Sequence, residues 1–517
     1  MKFYKIKSES EVDKHGNGIF LMHTKWDDWF TFKVEYMCWY YLDSKKGELG
    51  GIKIGAFSQG DTPFVEIPDE FDQLSADFFS LGTDESFYSN LARDLPEHRE
   101  QILTGLNDIA FNKERLKKAL STNVFKTALS RYVSLSSITG RFHRLAMGDA
   151  ELTDHHFAFN FKNEAGQKIE LNFSADYLSA VPTNIHALIG RNGVGKSYIL
   201  NEMVGSLVKE DGRFSFNDES NDKFTSLLYV NLSSFEHKEN YQENPDPQKG
   251  IVFQKLTTQT FQMVQKPQGN MTKKEDDVSS PDPRAPSVKK TYEDRIEATF
   301  IDSLKVCMLR KPTRWREAVQ VLQTDPVFDE VNAQNLSVNY ANKSDFEGNA
   351  QRLFSRLSSG HKVVLLVLTK LVELSEEGTL IIIDEPEMHL HPPLIGSFVR
   401  ALSELLRHVN GVAILATHSP IVLQEVPRCN VYKVVRNQGS STVQRPTIET
   451  FGESIGVLTS EVFGYEVENS GFHQLLVQEI NTGKSYDAIK QKFGKALSPG
   501  ALSALQVLIF AHESEGD

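Results

Sequence analysis

The chain has 517 residues, 40% hydrophobic and 24% charged, with a formal net charge of −13. This is globular composition with room for roughly two to four domains, and no apolar run approaches the ~20 residues that span a bilayer. The acidic total excludes a bulk electrostatic footprint for nucleic acid, though not a local basic groove, and three scattered cysteines (Cys38, Cys307, Cys429) exclude a disulfide framework and a CxxC metal site.

Residues 20–60 read as strands: Trp26 to Tyr36 alternates and is rich in aromatics, Asp43 to Gly51 is a loop, and Ile52 to Gly55 restarts a strand. Residues 84–132 are helical in pattern. Phe157 to Phe161, a turn at Gly166 and Ile169 to Phe173 predict a hairpin.

Next comes the apolar strand Ala187-Leu188-Ile189, then Gly190-Arg191-Asn192-Gly193-Val194-Gly195-Lys196-Ser197, then a helix from Tyr198 to Met203. This is the phosphate-loop pattern GxxxxGK[ST] in the strand–loop–helix setting it requires. The glycines let backbone N–H groups curl around a phosphate. Lys196 adds a point charge near the β- and γ-phosphates, and the Ser197 hydroxyl reaches Mg²⁺.

Ser226 to Asn231 predicts a buried strand. Residues 237–295 turn polar and proline-rich, most of all at Ser279 to Pro286, which predicts a partly disordered insertion. A helical region follows from about 292 to 325. Its cluster Arg310-Lys311-Pro312-Thr313-Arg314-Trp315-Arg316 has two readings, a nucleic-acid surface or a helix start with a buried tryptophan.

Residues 350–437 alternate helices with short apolar strands, as a parallel sheet does. Leu357-Ser358-Ser359-Gly360-His361-Lys362 opens an amphipathic helix. Its serines serve as an N-cap or as an anion site at the helix start. Leu380 to Ile383 is an apolar strand ending in Asp384 and Glu385. Behind a phosphate loop, Asp384 would hold Mg²⁺ and Glu385 would orient or deprotonate the attacking water. Ile414 to Thr417 is another apolar strand, ending at His418, which would contact the γ-phosphate. Residues 450–517 read as helical with an acidic end.

Phosphate loop, LSxG signature, Asp-Glu strand and switch histidine, in that order, resemble an ABC-type ATPase head of the soluble SMC, RecF and OLD-like branch. Glu385-Pro386-Glu387-Met388-His389-Leu390-His391-Pro392 is similar to the D-loop region of the OLD-like group. The fold expected is an α/β ABC-type P-loop head, a mixed sheet flanked by helices, with antiparallel β hairpins, a helical insertion and a helical C-terminal region. The parts expected are an N-terminal ATPase lobe with a β subdomain (1–235), a polar insertion and helical subdomain (236–349), a C-terminal ATPase lobe (350–445) and a helical end (446–517).

The resemblance implies ATP and Mg²⁺ as cofactors and a head-to-tail homodimer. In it Ser358, Ser359 and Gly360 of one protomer complete the site built by Lys196, Ser197, Asp384 and Glu385 of the other. The sequence departs from ABC heads at the Q-loop. Tyr229 to Glu236 holds no glutamine, and Ser234 stands in its place. About 160 residues separate Lys196 from Leu357 without sustained heptads, so long SMC arms are excluded.

A second resemblance rests on Trp26-Asp27-Asp28, Gly51 to Gly55, Phe79 to Leu91 and Ile102 to Ile109. These are similar to the PtuA-like ATPase subunit of the Septu anti-phage defence systems, some of them attached to retrons. It implies an oligomeric ATPase that controls a separate HNH nuclease (PtuB-like). In retron versions an RNA–DNA hybrid and a reverse transcriptase join. The alternatives are a RecF-like DNA-repair ATPase and a non-hydrolysing scaffold that binds ATP to assemble. The cysteine usage, and an opening (Met1 to Lys7) without a signal peptide's apolar core, predict a cytoplasmic protein with no membrane partner.

Overall fold

The computed structural model describes residues 1–12, 14–24, 32–131, 133–148, 154–177, 179–216, 223–231, 241–246, 250–257, 292–337, 345–388, 390–437, 440–468 and 471–514. Trp26 to Thr31, the Q-loop position Ser234, the Ser279 to Pro286 stretch and His389 lie outside them.

The chain begins with β1 (Phe3–Ile6), β2 (Gly18–His23), β3 (Glu35–Leu42), β4 (Lys45–Ala56), β5 (Glu70–Phe71) and β6 (Phe78–Gly82), which form one sheet in the order β5-β1-β2-β3-β4-β6. Helices from Glu85–Asp94 to His143–Met147 cover it and close a core of its own around Phe3, Ile52, Phe79, Phe87 and Leu103. The first helix is set by Asp84, whose carboxylate accepts the Ser86 N–H at its start.

Then come β7 (His155–Lys162), β8 (Lys168–Ala175), β9 (Ile185–Ile189), β10 (Phe214–Phe216), β11 (Ser226–Asn231), β12 (Val252–Thr257), β13 (Thr379–Asp384), β14 (Val412–Thr417), β15 (Val431–Asn437) and β16 (Ser440–Gln444). The predicted hairpin is β7 and β8, joined by β10 in a three-stranded antiparallel sheet. The other strands make a seven-stranded sheet in the order β12-β11-β13-β14-β9-β15-β16. It is parallel except for β16.

Strands buried on both faces read as continuous apolar runs, because each face needs its own alternate residues. In β13, Ile381 and Ile383 join one core with the helices Ser359–Leu374 and Pro392–His408, while Leu380 and Ile382 join the other with the helix Lys196–Lys209 and the β7–β8 hairpin. In β14, Ala413 and Leu415 face the first core, and Val412, Ile414 and Ala416 the second. This is the mixed α/β fold of a P-loop ATPase.

The stretch read as a polar insertion contains β12, which pairs along its whole length with β11 and forms the sheet's edge. Of the two readings of the basic cluster, the structure shows the helix start with a buried tryptophan. Lys311, Arg314 and Trp315 are buried, with Trp315 Nε1–H donating to Thr369 Oγ1 at 3.0 Å.

Those buried cations belong to an ionic network that joins the N-terminal unit to the ATPase core. Glu85 Oε2 lies 3.1 Å from Arg314 and 3.7 Å from Arg141. Lys311 pairs with Glu376 at 3.0 Å, Arg144 pairs with Glu377, and the Ser134 hydroxyl donates to Glu376 at 2.8 Å. Glu376 and Glu377 sit in the loop between the helix Ser359–Leu374 and β13, so the N-terminal unit grips the segment linking the signature helix to the acidic strand. No helix among the described residues is long and apolar enough to cross a membrane.

Candidate functional site

At the carboxyl end of β9 the chain turns through Gly190 to Gly195 into the helix Lys196–Lys209. Gly193 (φ 80°) and Gly195 (φ 103°) occupy the left-handed region, where a side chain is strained. A Cβ on Gly190 would lie 2.3 Å from the Val434 carbonyl oxygen, so the loop runs flush against β15. The rim is braced from outside. The Ser441 hydroxyl donates to the Val194 carbonyl (2.8 Å), the Glu164 carboxylate accepts the Ser441 N–H (3.0 Å), and Arg436 donates to the Gly193 carbonyl (3.1 Å). Arg191, Asn192 and Gly193 are exposed, while Val194 is buried in the hairpin core.

The Lys196 ammonium donates to the carbonyls of Gly190 (2.8 Å) and Arg191 (2.9 Å), folded into its own loop. Burial pushes its pKa down, opposed by the negative charges of Glu385, Asp384 and Glu387. One lysine thus faces three carboxylates from a different part of the chain, and Ser197, the next residue, is half-buried.

The sheet order makes that meeting. β14 lies between β9 and β13, and in register Asp384 is opposite Ala416 and Thr417 opposite Ile189. All three strands therefore end on one edge, the place where open α/β sheets bind ligands. Asp384 is 5% exposed at the tip of β13. Glu385 has φ 52°, and its N–H donates to the Ala416 carbonyl (2.8 Å), which extends the ladder by one residue before the chain turns away. A left-handed glutamate is strained by roughly 1–2 kcal/mol, a feature that collects at functional sites.

His418 closes the far side. Its Nδ1 lies 3.0 Å from Glu387 Oε1 and 3.9 Å from Glu385 Oε1. Its imidazole is 42% exposed, so a ligand can reach it, while the Glu387 side chain is 7% exposed. Lys196, Ser197, Asp384, Glu385 and His418 thus come together at one edge of the sheet. An ammonium, a helix N-terminus and inward-turned amides suit a polyphosphate, and the Ser197 hydroxyl with the Asp384 carboxylate is the oxygen donor set that Mg²⁺ takes.

The signature is elsewhere. Ser358 is exposed and caps the helix Ser359–Leu374, accepting the His361 N–H. Ser359 is exposed, and Gly360 is buried against the helix. Val363, one turn on, lines an apolar cleft with Ile383 and Pro386, so the helix start lies on the acidic strand's side of the sheet. Among the described residues no bond joins Ser358, Ser359 or Gly360 to the Lys196 cluster.

Sequence reading passed over Glu387, which tethers His418, although it stands in the D-loop stretch. It also passed over His361 and Asp325, which hold Ser358. Ser441, Glu164 and Arg436 carried no sequence signal, because they reach the loop only through the β15–β16 hairpin and the β7–β8 turn.

Fold and site together define a P-loop ATPase. Residues 308–424 match the family described as "AAA domain, putative AbiEii toxin, Type IV TA system". The chain is 35% identical over 522 residues to protein ea59 of Escherichia phage lambda, covering 95% of each, and it belongs to that protein's family. A solved ABC transporter of the metal-chelate type, in an inward-facing conformation, aligns with 60% of this chain and 88% of its own at 14% identity. Its TM-score of 0.29 is too low to carry any argument.

Proposed function

We propose that this chain binds and hydrolyses ATP in a site shared between two copies, and that this assembly controls a separate effector. The observation that carries the reading is the division of labour in one protomer. The phosphate loop, both acids and His418 converge, while the capped, exposed Ser358 takes no part in that cluster. A head-to-tail copy would bring its Ser358, Ser359 and Gly360 to the open face of the half-site.

In this reading Lys196 and the loop amides hold the β- and γ-phosphates, and a cleft of about 680 Å³ along the loop's outer face leaves room for the rest of the nucleotide. Ser197 and Asp384 would hold Mg²⁺, which would supply charge neutralisation at the phosphates. Glu385 orients and deprotonates the attacking water, and His418 donates to the γ-phosphate. ATP then favours the paired state through the contacts it adds there, and hydrolysis removes them.

The effector is proposed to be an HNH nuclease of the PtuB-like kind, in a cytoplasmic anti-phage complex, with the retron hybrid and reverse transcriptase as members in retron-linked versions. Support for this part is the resemblance of the N-terminal motifs.

The test is phosphate release and solution mass for the wild type, Lys196→Ala and Glu385→Gln. Expected are ATP-dependent pairing in the wild type, loss of nucleotide binding in Lys196→Ala, and a long-lived ATP-bound pair in Glu385→Gln. Wild-type nucleotide affinity in Lys196→Ala would refute the site. DNA or RNA cleavage by the purified chain alone would refute the division between ATPase and effector.

A further inference from the structure

We propose that His361, held by Asp325, sets the direction of the Ser358 hydroxyl, so that Ser358 donates to a phosphate only when the imidazole is doubly protonated. The inference rests on the shared-site reading and gives it a proton.

Ser358 Oγ is 2.6 Å from His361 Nδ1, and His361 Nε2 is 3.1 Å from Asp325 Oδ1. Asp325 is itself fixed. It caps the helix Pro326–Val331, and its Oδ1 accepts the N–H groups of Val327 (2.9 Å) and Phe328 (3.4 Å). An ionised carboxylate only accepts hydrogen bonds, so Nε2 carries a proton. The Phe328 ring stands edge-on to the imidazole at 5.2 Å and walls it from water. Both side chains are nearly enclosed, His361 at 9% and Asp325 at 11% exposed. Among the described residues Asp325 is the charged group that faces the ring; Lys362, next on the helix, extends over Phe354 instead.

With Nε2 protonated, Nδ1 decides what Ser358 does. In the neutral ring Nδ1 is an acceptor and takes the Ser358 hydroxyl proton. The serine then presents only lone pairs outward, which repel a phosphate oxygen. In the imidazolium Nδ1–H donates to Oγ, and the serine hydroxyl proton turns outward as a donor. Backbone N–H groups at a helix start attract an anion in either state, but the capping hydroxyl assists only in the second.

The sign follows from linkage. The phosphate-engaged state holds more protons than the free state, so association strengthens as pH falls. For one proton taken up per signature engaged, the gain approaches at most roughly tenfold per pH unit. His361 is a positioning residue that acts through Ser358.

The experiment uses the full chain with Glu385→Gln, ATP and Mg²⁺. It measures the dimer dissociation constant from pH 6 to 8 by sedimentation, and proton uptake by calorimetry in two buffers of different ionisation enthalpy. Expected are tighter pairing at pH 6 with net proton uptake, a clearly flatter pH dependence and reduced uptake when His361→Gln is added, and a shift of the dependence to lower pH with Asp325→Asn. Asp325→Asn keeps the helix cap and covers the case in which His361→Gln does not fold. His418 is present in every variant, so the difference between variants isolates His361. An unchanged slope and uptake in His361→Gln would overturn the inference while leaving the shared site standing. Absence of ATP-dependent pairing at every pH would overturn the shared site and the inference with it.

Discussion

The Glu387 carboxylate oxygen that lies 3.0 Å from His418 Nδ1 also accepts the His418 main-chain N–H (2.6 Å) and the Thr417 hydroxyl (2.7 Å). One acid from the turn after β13 therefore fixes both the backbone and the ring at the end of β14. Neighbouring strands bring these tips together, and Glu387 sets the angle of the His418 ring.

Replacing Glu387 with glutamine keeps the shape and removes the charge. A hydrogen bond to a charged group contributes about 1.5–3 kcal/mol, so ATP hydrolysis should fall roughly tenfold to a hundredfold. Nucleotide binding, which rests on Lys196 and the loop, should stay near wild type. Steady-state phosphate release beside nucleotide affinity checks the split, and an unchanged turnover number would remove Glu387 from the mechanism.

The loop glycines are predicted to fail for different reasons. In Gly190→Ala the new methyl meets the Val434 carbonyl oxygen at 2.3 Å, which is backbone and cannot swing aside. In Gly195→Ala the clash with Ser441 Oγ is milder, at 3.0 Å, but the φ of 103° is strained for alanine. Both should destabilise by about 1–3 kcal/mol and weaken ATP binding. Gly190→Ala should be the worse, because β15 itself must shift. Chemical denaturation and nucleotide titration test the order, and tolerance of Gly190→Ala would contradict the close packing of loop on strand.

Ser441→Ala removes the hydroxyl that holds the Val194 carbonyl. A neutral hydrogen bond contributes roughly 1 kcal/mol, so ATP affinity should drop about fivefold through a looser loop, with little change in turnover at saturating ATP. A fall in turnover with affinity intact would place Ser441 in the chemistry instead.

The apolar runs at Leu380 to Ile383 and Ile414 to Thr417, and the glycine pattern at 190–195, were legible because local rules wrote them. A strand buried on both faces must be apolar throughout, and a loop around phosphate needs glycine. The meeting of Lys196 with Glu385 and His418 follows from strand order, which a motif order matching a known head could carry but periodicity could not. Arg314 and Trp315 left two readings open because a buried ion pair and an exposed basic patch share one composition. Only Glu85, more than two hundred residues away in sequence, shows which it is. β12 stayed hidden because an edge strand with Gln254 and Lys255 has one half-wet face and a weak alternation.

Glu85 also makes the stability of the chain depend on pH. Burial alone would raise its carboxyl, but Arg314, His408 and Arg141 together outweigh it and hold it at about 2. An unfolded glutamate titrates near ~4.3, so the folded state binds fewer protons in this range. The contribution, about 3 kcal/mol, is fully present above roughly pH 5 and is lost as pH falls toward 2. Glu85→Gln leaves Arg314 and Arg141 buried without their counter-charge, a change that typically costs about 3–5 kcal/mol near neutral pH. Its melting temperature should fall at pH 7, and the gap to wild type should shrink as the pH is lowered through 4. Urea unfolding at several pH values measures that convergence. A gap that stays constant with pH would mean that Glu85 acts by its packing and not by its charge.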